Sequence, residues 1–356
     1  MSTYITGSVN SILADYSAIP PHTIMAVQDV FDSNHLTQAI EALGQPACVL
    51  NDHLTHNLDF DLVPAYYALL WLEQQIDAFQ RDIPQITDQP STDYCFSFSL
   101  NKKQINRFLL IKLVEYFKFS SYDYTWSGYG REFDLAPALP QIHAFDLDPG
   151  FQRYVYSPIK ITEKWIKFSQ HNHDHVDTTQ GAVQDHGGNS WTWLNGLDTL
   201  YSHGAVNLIG ESIQYDRSMC FTEKTLYAVL GHCFPIWVGG YGQAQAFESL
   251  GLDSFSDVIN HDYQWAPTLI ERCYQAIALN KHILSNLEHA RACRQQCWDR
   301  LESNAQWIYS EKLVNHNNHL IARWPGPVLD QLPRVIYRFD RPGRAEQIQA
   351  LRVLVD

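Results

Sequence analysis

The spacing of apolar and polar positions changes period repeatedly along this chain, and the changes mark alternating strands and helices. Residues 23–30 (TIMAVQDV) and 46–50 (PACVL) predict short strands. The segment 33–44 between them predicts a helix that starts on Ser33 and stops at Gly44. Strand, helix and strand at this spacing make a βαβ unit. A longer helix rich in Tyr, Leu and Trp is predicted over 64–80, and the polar stretch 81–93, with Pro84 and Pro90, reads as a linker.

A second α/β unit opens near residue 94. Positions 94–100 (YCFSFSL) alternate as a strand does, and the apolar residues of 104–117 recur at helical spacing. The middle, 120–201, carries Gly, Pro, Trp and His in irregular order and predicts loops with short elements. Regular patterning returns as a strand over 205–209, a helix over 222–231, a strand over 234–238 and a helix over 242–250. Such alternation predicts a parallel sheet. Residues 267–304 read as one long helix or a pair, and 324–356 as a mixed tail with Pro-Gly turns. The expected organisation is an N-terminal α/β domain over 1–92 and a C-terminal α/β domain over 93–356, the latter with an irregular insertion at about 120–200.

Composition narrows the partners more than the fold. The 356 residues are 45% hydrophobic and 18% charged, which is a globular balance with ample material for a core. A net charge of -14, with no basic cluster longer than Lys102-Lys103, argues against a nucleic-acid polymer as partner. A nucleotide needs only a few convergent cations and stays allowed. The seven cysteines are odd in number and form no CxxC pair, which suits free thiols in a reducing compartment. The start lacks a basic and apolar leader, and no apolar run approaches the ~20 residues of a membrane span. A cytoplasmic address is expected, which leaves room for peripheral membrane contact.

The most informative stretch is 206–240. A strand ends near Glu211, a polar loop follows, and Thr222 is placed to cap a helix beginning near Glu223. A helix start offers unpaired N–H groups and about half a positive charge, a seat for a pyrophosphate. Lys224 adds a full charge there. Glu211 and Glu223 are placed to accept hydrogen bonds from ribose or sugar hydroxyls, and the next strand ends in Gly239-Gly240, where backbone can approach a ligand closely. Each residue also has a plainer reading: Lys224 as a solvated helix residue, Glu211 as the cap of the following turn, Gly239-Gly240 as a turn.

This stretch resembles the donor-binding motif of the α-1,3-fucosyltransferase family and its bacterial and phage relatives. The family has a Glu after a strand, then Thr-Glu-Lys, a helix and a Pro-(Ile/Val)-x-x-Gly strand, matched here by Glu211, Thr222-Glu223-Lys224 and Pro235-Ile-Trp-Val-Gly239. The strand, Asn turn and helical Arg that open the family's donor domain look like Phe98-Ser-Leu-Asn101 and Arg107. The resemblance covers about 94–119 and 205–265. It implies two Rossmann-like lobes of the GT-B type with a C-terminal helical segment. It also implies transfer of a sugar, with inversion and without a metal, from a nucleotide donor, GDP-linked in the family, to a hydroxyl of a glycan or other acceptor. Arg107 and Lys224 would then neutralise the diphosphate, and Glu223 would hold the ribose. Gly210-Glu211-Ser212 stands where the family has Phe/Glu-Glu-Asn, which leaves the donor sugar open. Thr162-Glu163-Lys164 repeats the tripeptide without the flanking pattern, so the tripeptide alone carries no information.

By the same resemblance the catalytic base is a carboxylate of the N-terminal domain. Asp29 and Asp52 follow the two predicted strands most directly; Asp32, Asp59 and Asp61 are further candidates, and all five also fit as caps or turn residues. Two rival readings remain. His171-Asn-His-Asp-His-Val-Asp177, with Asp185-His186 nearby, could serve a metal-dependent hydrolase, though it reads more simply as a solvated loop. A non-catalytic module that binds a sugar nucleotide or glycan is the other. Residues 123–128 (DYTWSG) have the aromatic and polar character of a sugar-stacking site and equally of core or turn packing.

Overall fold

The structure is a computed structural model and describes residues 3–8, 23–28, 48–51, 54–55, 62–63, 76–77, 79–83, 89–100, 105–126, 149–155, 197–211, 218–219 and 221–322. It is mixed α/β. The chain divides into two compact units, one comprising Met1–Gln74, Tyr215–Cys220 and Ser310–Asp356, the other Gln75–Gln214 and Phe221–Tyr309.

The first unit holds a four-stranded parallel sheet. Its strands β1 (Thr3–Ser8), β2 (Thr23–Gln28), β3 (Cys48–Asn51) and β5 (Leu62–Val63) lie side by side in that order, while β4 (Leu54–Thr55) forms a separate antiparallel pair with β9 (Ser218–Met219). Parallel neighbours require a crossover, so the pairing of β2 with β3 agrees with the βαβ reading, whose helix lies outside the described residues. β1, rich in β-branched residues and only six residues long, had no counterpart among the expected strands.

The second unit is built on another four-stranded parallel sheet. β6 (Tyr94–Leu100) leads through α1 (Ile105–Tyr116) to β7 (Tyr122–Trp126) at one edge. After α2 (Pro149–Val155) and α3 (Asp198–Ser202), β8 (Gly204–Ile209) pairs with the other side of β6, and α4 (Glu223–Leu230) leads on to β10 (Phe234–Trp237) beyond it. Then come α5 (Gln243–Ser249), a 3₁₀ turn at Asp262–Trp265, α6 (Leu269–Leu279), α7 (Lys281–Leu284), α8 (Leu287–Gln296), α9 (Trp298–Ile308) and, in the first unit, α10 (Lys312–Ala322).

The sheet order β10-β8-β6-β7 means that the connections from β6 and β8 run outward in opposite directions. With right-handed crossovers, that puts α1 and α4 on opposite faces. The packing agrees: α1 lies against α6 and contributes Phe108, Leu109, Leu110 and Ile111 to the main apolar cluster, whereas α4 lies against α3 and α9 and contributes nothing to that cluster. On the α1 face the aromatic rings of Phe96 and Phe98 stack across strands on Tyr122 and Tyr124, at 5.3 and 5.4 Å between centroids.

β6 alternates as expected, but its polar face is not solvated. Ser97 and Ser99 are buried, and Asn207 of β8 donates its Nδ2 to both the carbonyl and the hydroxyl oxygen of Ser97 at 3.1 Å. Both faces of a parallel sheet are covered, so its polar positions must find partners inside.

One expectation is corrected: the segment 267–304 is broken into four helices, with Asn280 and Asn286 at the breaks and a further break at Cys297. The irregular middle, expected to hold loops with short elements, contains the short edge strand β7, whose Tyr124 is buried at 1% exposure and stacked on Phe98. Of the two readings of 123–128, Tyr124 follows the one of core packing.

Candidate functional site

Arg107, Glu211, Thr222, Glu223 and Lys224 are brought together at the C-terminal ends of β6 and β8. Arg107 comes from the first turn of α1, Glu211 stands two residues past β8, and the other three form the start of α4. This is where the strand connections diverge, the place at which open α/β sheets hold ligands.

All the side chains of the group are largely or wholly buried. Arg107 and Glu211 are at 0% exposure and Lys224 at 3%, so Lys224 is no solvated helix residue and Arg107 no surface ion pair. Arg107 Nε donates to the Gly210 carbonyl at 3.1 Å, and Asn106 Nδ2 donates to the Glu211 carbonyl at 3.2 Å. Gly210 leaves just enough room: a Cβ there would stand 3.2 Å from Arg107 Cγ.

The helix start has its predicted cap, and it also has an anion of its own. Thr222 accepts from the Lys224 N–H, and Glu211 accepts from the Thr222 N–H at 3.1 Å, from the Thr222 hydroxyl, and from Thr225 Oγ1 at 2.6 Å. The Glu211 carboxylate thus sits against the helix start, holding the N–H of the capping residue and the hydroxyls of Thr222 and Thr225. Lys224 Nζ is paired with Glu223.

Two cations and two carboxylates make the group formally neutral, and the surroundings shift each differently. Burial pushes the Glu211 carboxyl above the ordinary glutamate value, against the pull of Lys224 and of the two threonine hydroxyls. For Glu223 burial also acts upward, but the charge and hydrogen bond of Lys224 outweigh it, and the carboxyl sits below its ordinary value. Burial draws Arg107 down, opposed by Glu223 and Glu211.

Gly239 has φ 84°, a left-handed conformation that favours glycine, and its carbonyl accepts from Arg272 Nε at 3.0 Å. Gly240 is needed for close approach to its own chain: a Cβ there would collide with Gln243 Oε1 and meet Trp237 Cβ at 2.8 Å. Asn101, Asp29, Asp32, Asp52, Asp59, Asp61, the 162–164 tripeptide and the His171–Asp177 loop with Asp185-His186 lie outside the described residues. Among the described residues no group of His, Cys, Asp and Glu is placed to hold a metal ion.

Several members of the site escaped the sequence reading. Thr225 follows Thr222 by three positions, one turn along α4, and that spacing was the available signal. Trp237 joins the group by donating its indole N–H to Thr225 Oγ1 at 2.9 Å. Gln243, at 0% exposure beside Gly240, meets no hydrogen-bond partner for either amide atom among the described residues. No pattern in the sequence announced these two.

Comparison with models of protein families, with curated proteins and with solved structures returns no match to this chain. No helix among the described residues is long and apolar enough to cross a membrane.

Proposed function

We propose that the chain is a glycosyltransferase of the two-lobed GT-B type. In this reading it moves a sugar from a nucleotide donor to a hydroxyl acceptor, with the donor diphosphate held by Arg107 and Lys224. The observation that carries this reading is the convergence of two cations from separate elements at the point where the β6 and β8 connections diverge. The resemblance to the fucosyltransferase motif points the same way, because these residues fill that motif in order.

The internal carboxylates shape how such a site would work. A diphosphate would take over Lys224 from Glu223 and free Glu223 for a ribose hydroxyl. Glu211 would stay on Thr222 and Thr225 as a positioning group. Diphosphate departure would be stabilised by the cations, and a carboxylate of the first unit, Asp29 or Asp52 by preference, would take the acceptor proton. No step needs a metal.

A second reading is favoured by one observation, the engagement of the capping residue Thr222, through its N–H and hydroxyl, by Glu211. In it the charged group only fastens the start of α4 to the end of β8. A thermal-shift screen against GDP, UDP, CMP and dTDP separates the two, since a bound nucleotide raises the melting temperature by mass action. The transferase reading expects a shift with one nucleotide that is lost in Lys224→Ala while the fold persists. No shift with any of them, or a shift that survives both Lys224→Ala and Arg107→Ala, refutes it. Stoichiometric zinc or manganese in the purified protein would favour the hydrolase reading instead.

A further inference from the structure

A cleft of about 480 Å³ opens in the second unit between α5, the segment 256–265 and His282, within the size range of small-ligand sites. Among the described residues, the large apolar side chains that stand exposed are Leu279 at 42% and Trp265 at 54%, and Trp265 is on the lip of this cleft. The Trp265 ring is steadied edge-on by Tyr241, 5.5 Å away, which in turn lies under the Arg272 guanidinium. An exposed indole held in place is a platform rather than a loose hydrophobe.

The polar lining is rich in acceptors. Glu248, Asp257 and Asp262 line it, and no Lys or Arg does among the described residues. Asp257 is taken by Arg300 at 2.8 Å, and one Glu248 oxygen by Ser254 and Ser256. The Asp262 carboxylate makes no hydrogen bond among the described residues; only its backbone N–H is engaged, by Asn260. His261 donates Nε2–H to the Ser254 carbonyl at 2.9 Å, which fixes Nδ1 as the acceptor of the neutral ring, and Nδ1 is buried with no partner among the described residues. The cleft is therefore unsuited to phosphate and carries carboxylate acceptors without a lysine or arginine among its described lining to match them. A ligand that supplies many O–H donors together with an apolar face meets both needs.

We propose that this cleft binds a neutral pyranose sugar, with Trp265 stacking on its C–H face and Asp262 and Glu248 accepting from its hydroxyls. The site stands on these residues alone, whether or not a nucleotide binds at Arg107 and Lys224. The Trp237 indole bridges the two places: its N–H reaches Thr225, and its ring centroid lies 5.8 Å from that of His261.

Saturation-transfer NMR with methyl glycosides of glucose, galactose, mannose, N-acetylglucosamine and fucose tests this, with putrescine as a cationic control. At least one glycoside is expected to show transfer to its ring protons, falling at least fivefold in Trp265→Ala and clearly in Asp262→Asn. Circular dichroism is expected to be unchanged, since both side chains are exposed. No transfer to any glycoside, transfer undiminished in Trp265→Ala, or binding of putrescine alone would each overturn the proposal.

Discussion

Replacing Arg107 with methionine tests whether the buried charged group behaves as a coupled unit. Methionine keeps the unbranched stem that packs beside Gly210, but it removes the hydrogen bond to the Gly210 carbonyl and one of two cations facing Glu211 and Glu223. A hydrogen bond from a charged donor contributes about 1.5–3 kcal/mol. Removing one partner of a buried ion pair costs about 3–5 kcal/mol, because the remaining charge is left uncompensated. Relief of the desolvation of Arg107 itself offsets part of this, so a loss of about 3 kcal/mol at neutral pH is expected. A domain stable by about 5–15 kcal/mol survives it. The pH dependence is the sharper signature. Arg107 helps to hold Glu223 below its ordinary value, and a depressed carboxyl contributes stability above its unfolded value of 4.5 that is lost as pH falls through the folded value. The gap between wild type and variant should therefore be full at pH 7 and close as the carboxyl protonates. Urea unfolding followed by circular dichroism reads both quantities from the midpoint at constant slope. A loss below about 1 kcal/mol, or a gap that is equal at about pH 4 and pH 7, refutes the coupling.

Gly231→Ala should destabilise the chain by about 1–3 kcal/mol through crowding. Its φ of -77° suits alanine, but the new Cβ would stand 2.7 Å from Tyr201 Cβ and 2.9 Å from the Tyr201 carbonyl carbon, which melting curves would register. His232 and His261 are both held below 6.5 by burial, so the folded chain binds fewer protons than the unfolded one just below that pH. Stability should be complete above about pH 6.5 and fall on acidification, by at most about 1.4 kcal/mol per pH unit for each histidine. His232→Gln should flatten that slope in urea titrations, and an unchanged slope would count against the assignment. Burial pushes the Cys233 and Cys273 thiols up to about 12, so peptide mass spectrometry should find neither alkylated by iodoacetamide at neutral pH until the chain is unfolded.

Much of the second unit was legible because its elements carry their own stop signals. Thr222 and Gly231 bracket α4, Gly242 precedes α5, β6 alternates, and β8 is a short and largely apolar run, as a strand covered on both faces can be. The helical region after 267 was less legible because its breaks depend on tertiary partners. Asn280 ends α6 while its amide bonds to Asn260 and Ala276, a choice no local pattern records. The site divides the same way. Its membership could be read from Thr222-Glu223-Lys224 and Arg107, yet the partner of each charge could not. Whether Glu211 meets a ligand hydroxyl or Thr222 and Thr225 is decided by the approach of the start of α4 to the end of β8.

The grouping of Ser310–Asp356 and Tyr215–Cys220 with Met1–Gln74 has a consequence for the order of folding. The first unit is gathered from stretches far apart in sequence, so its assembly must close long loops, whereas the second is interrupted only at Tyr215–Cys220. Closure of distant segments is slow, so the second unit should consolidate ahead of the first. Removal of the residues after Tyr309 should accordingly harm the amino-terminal sheet more than the helices it adjoins.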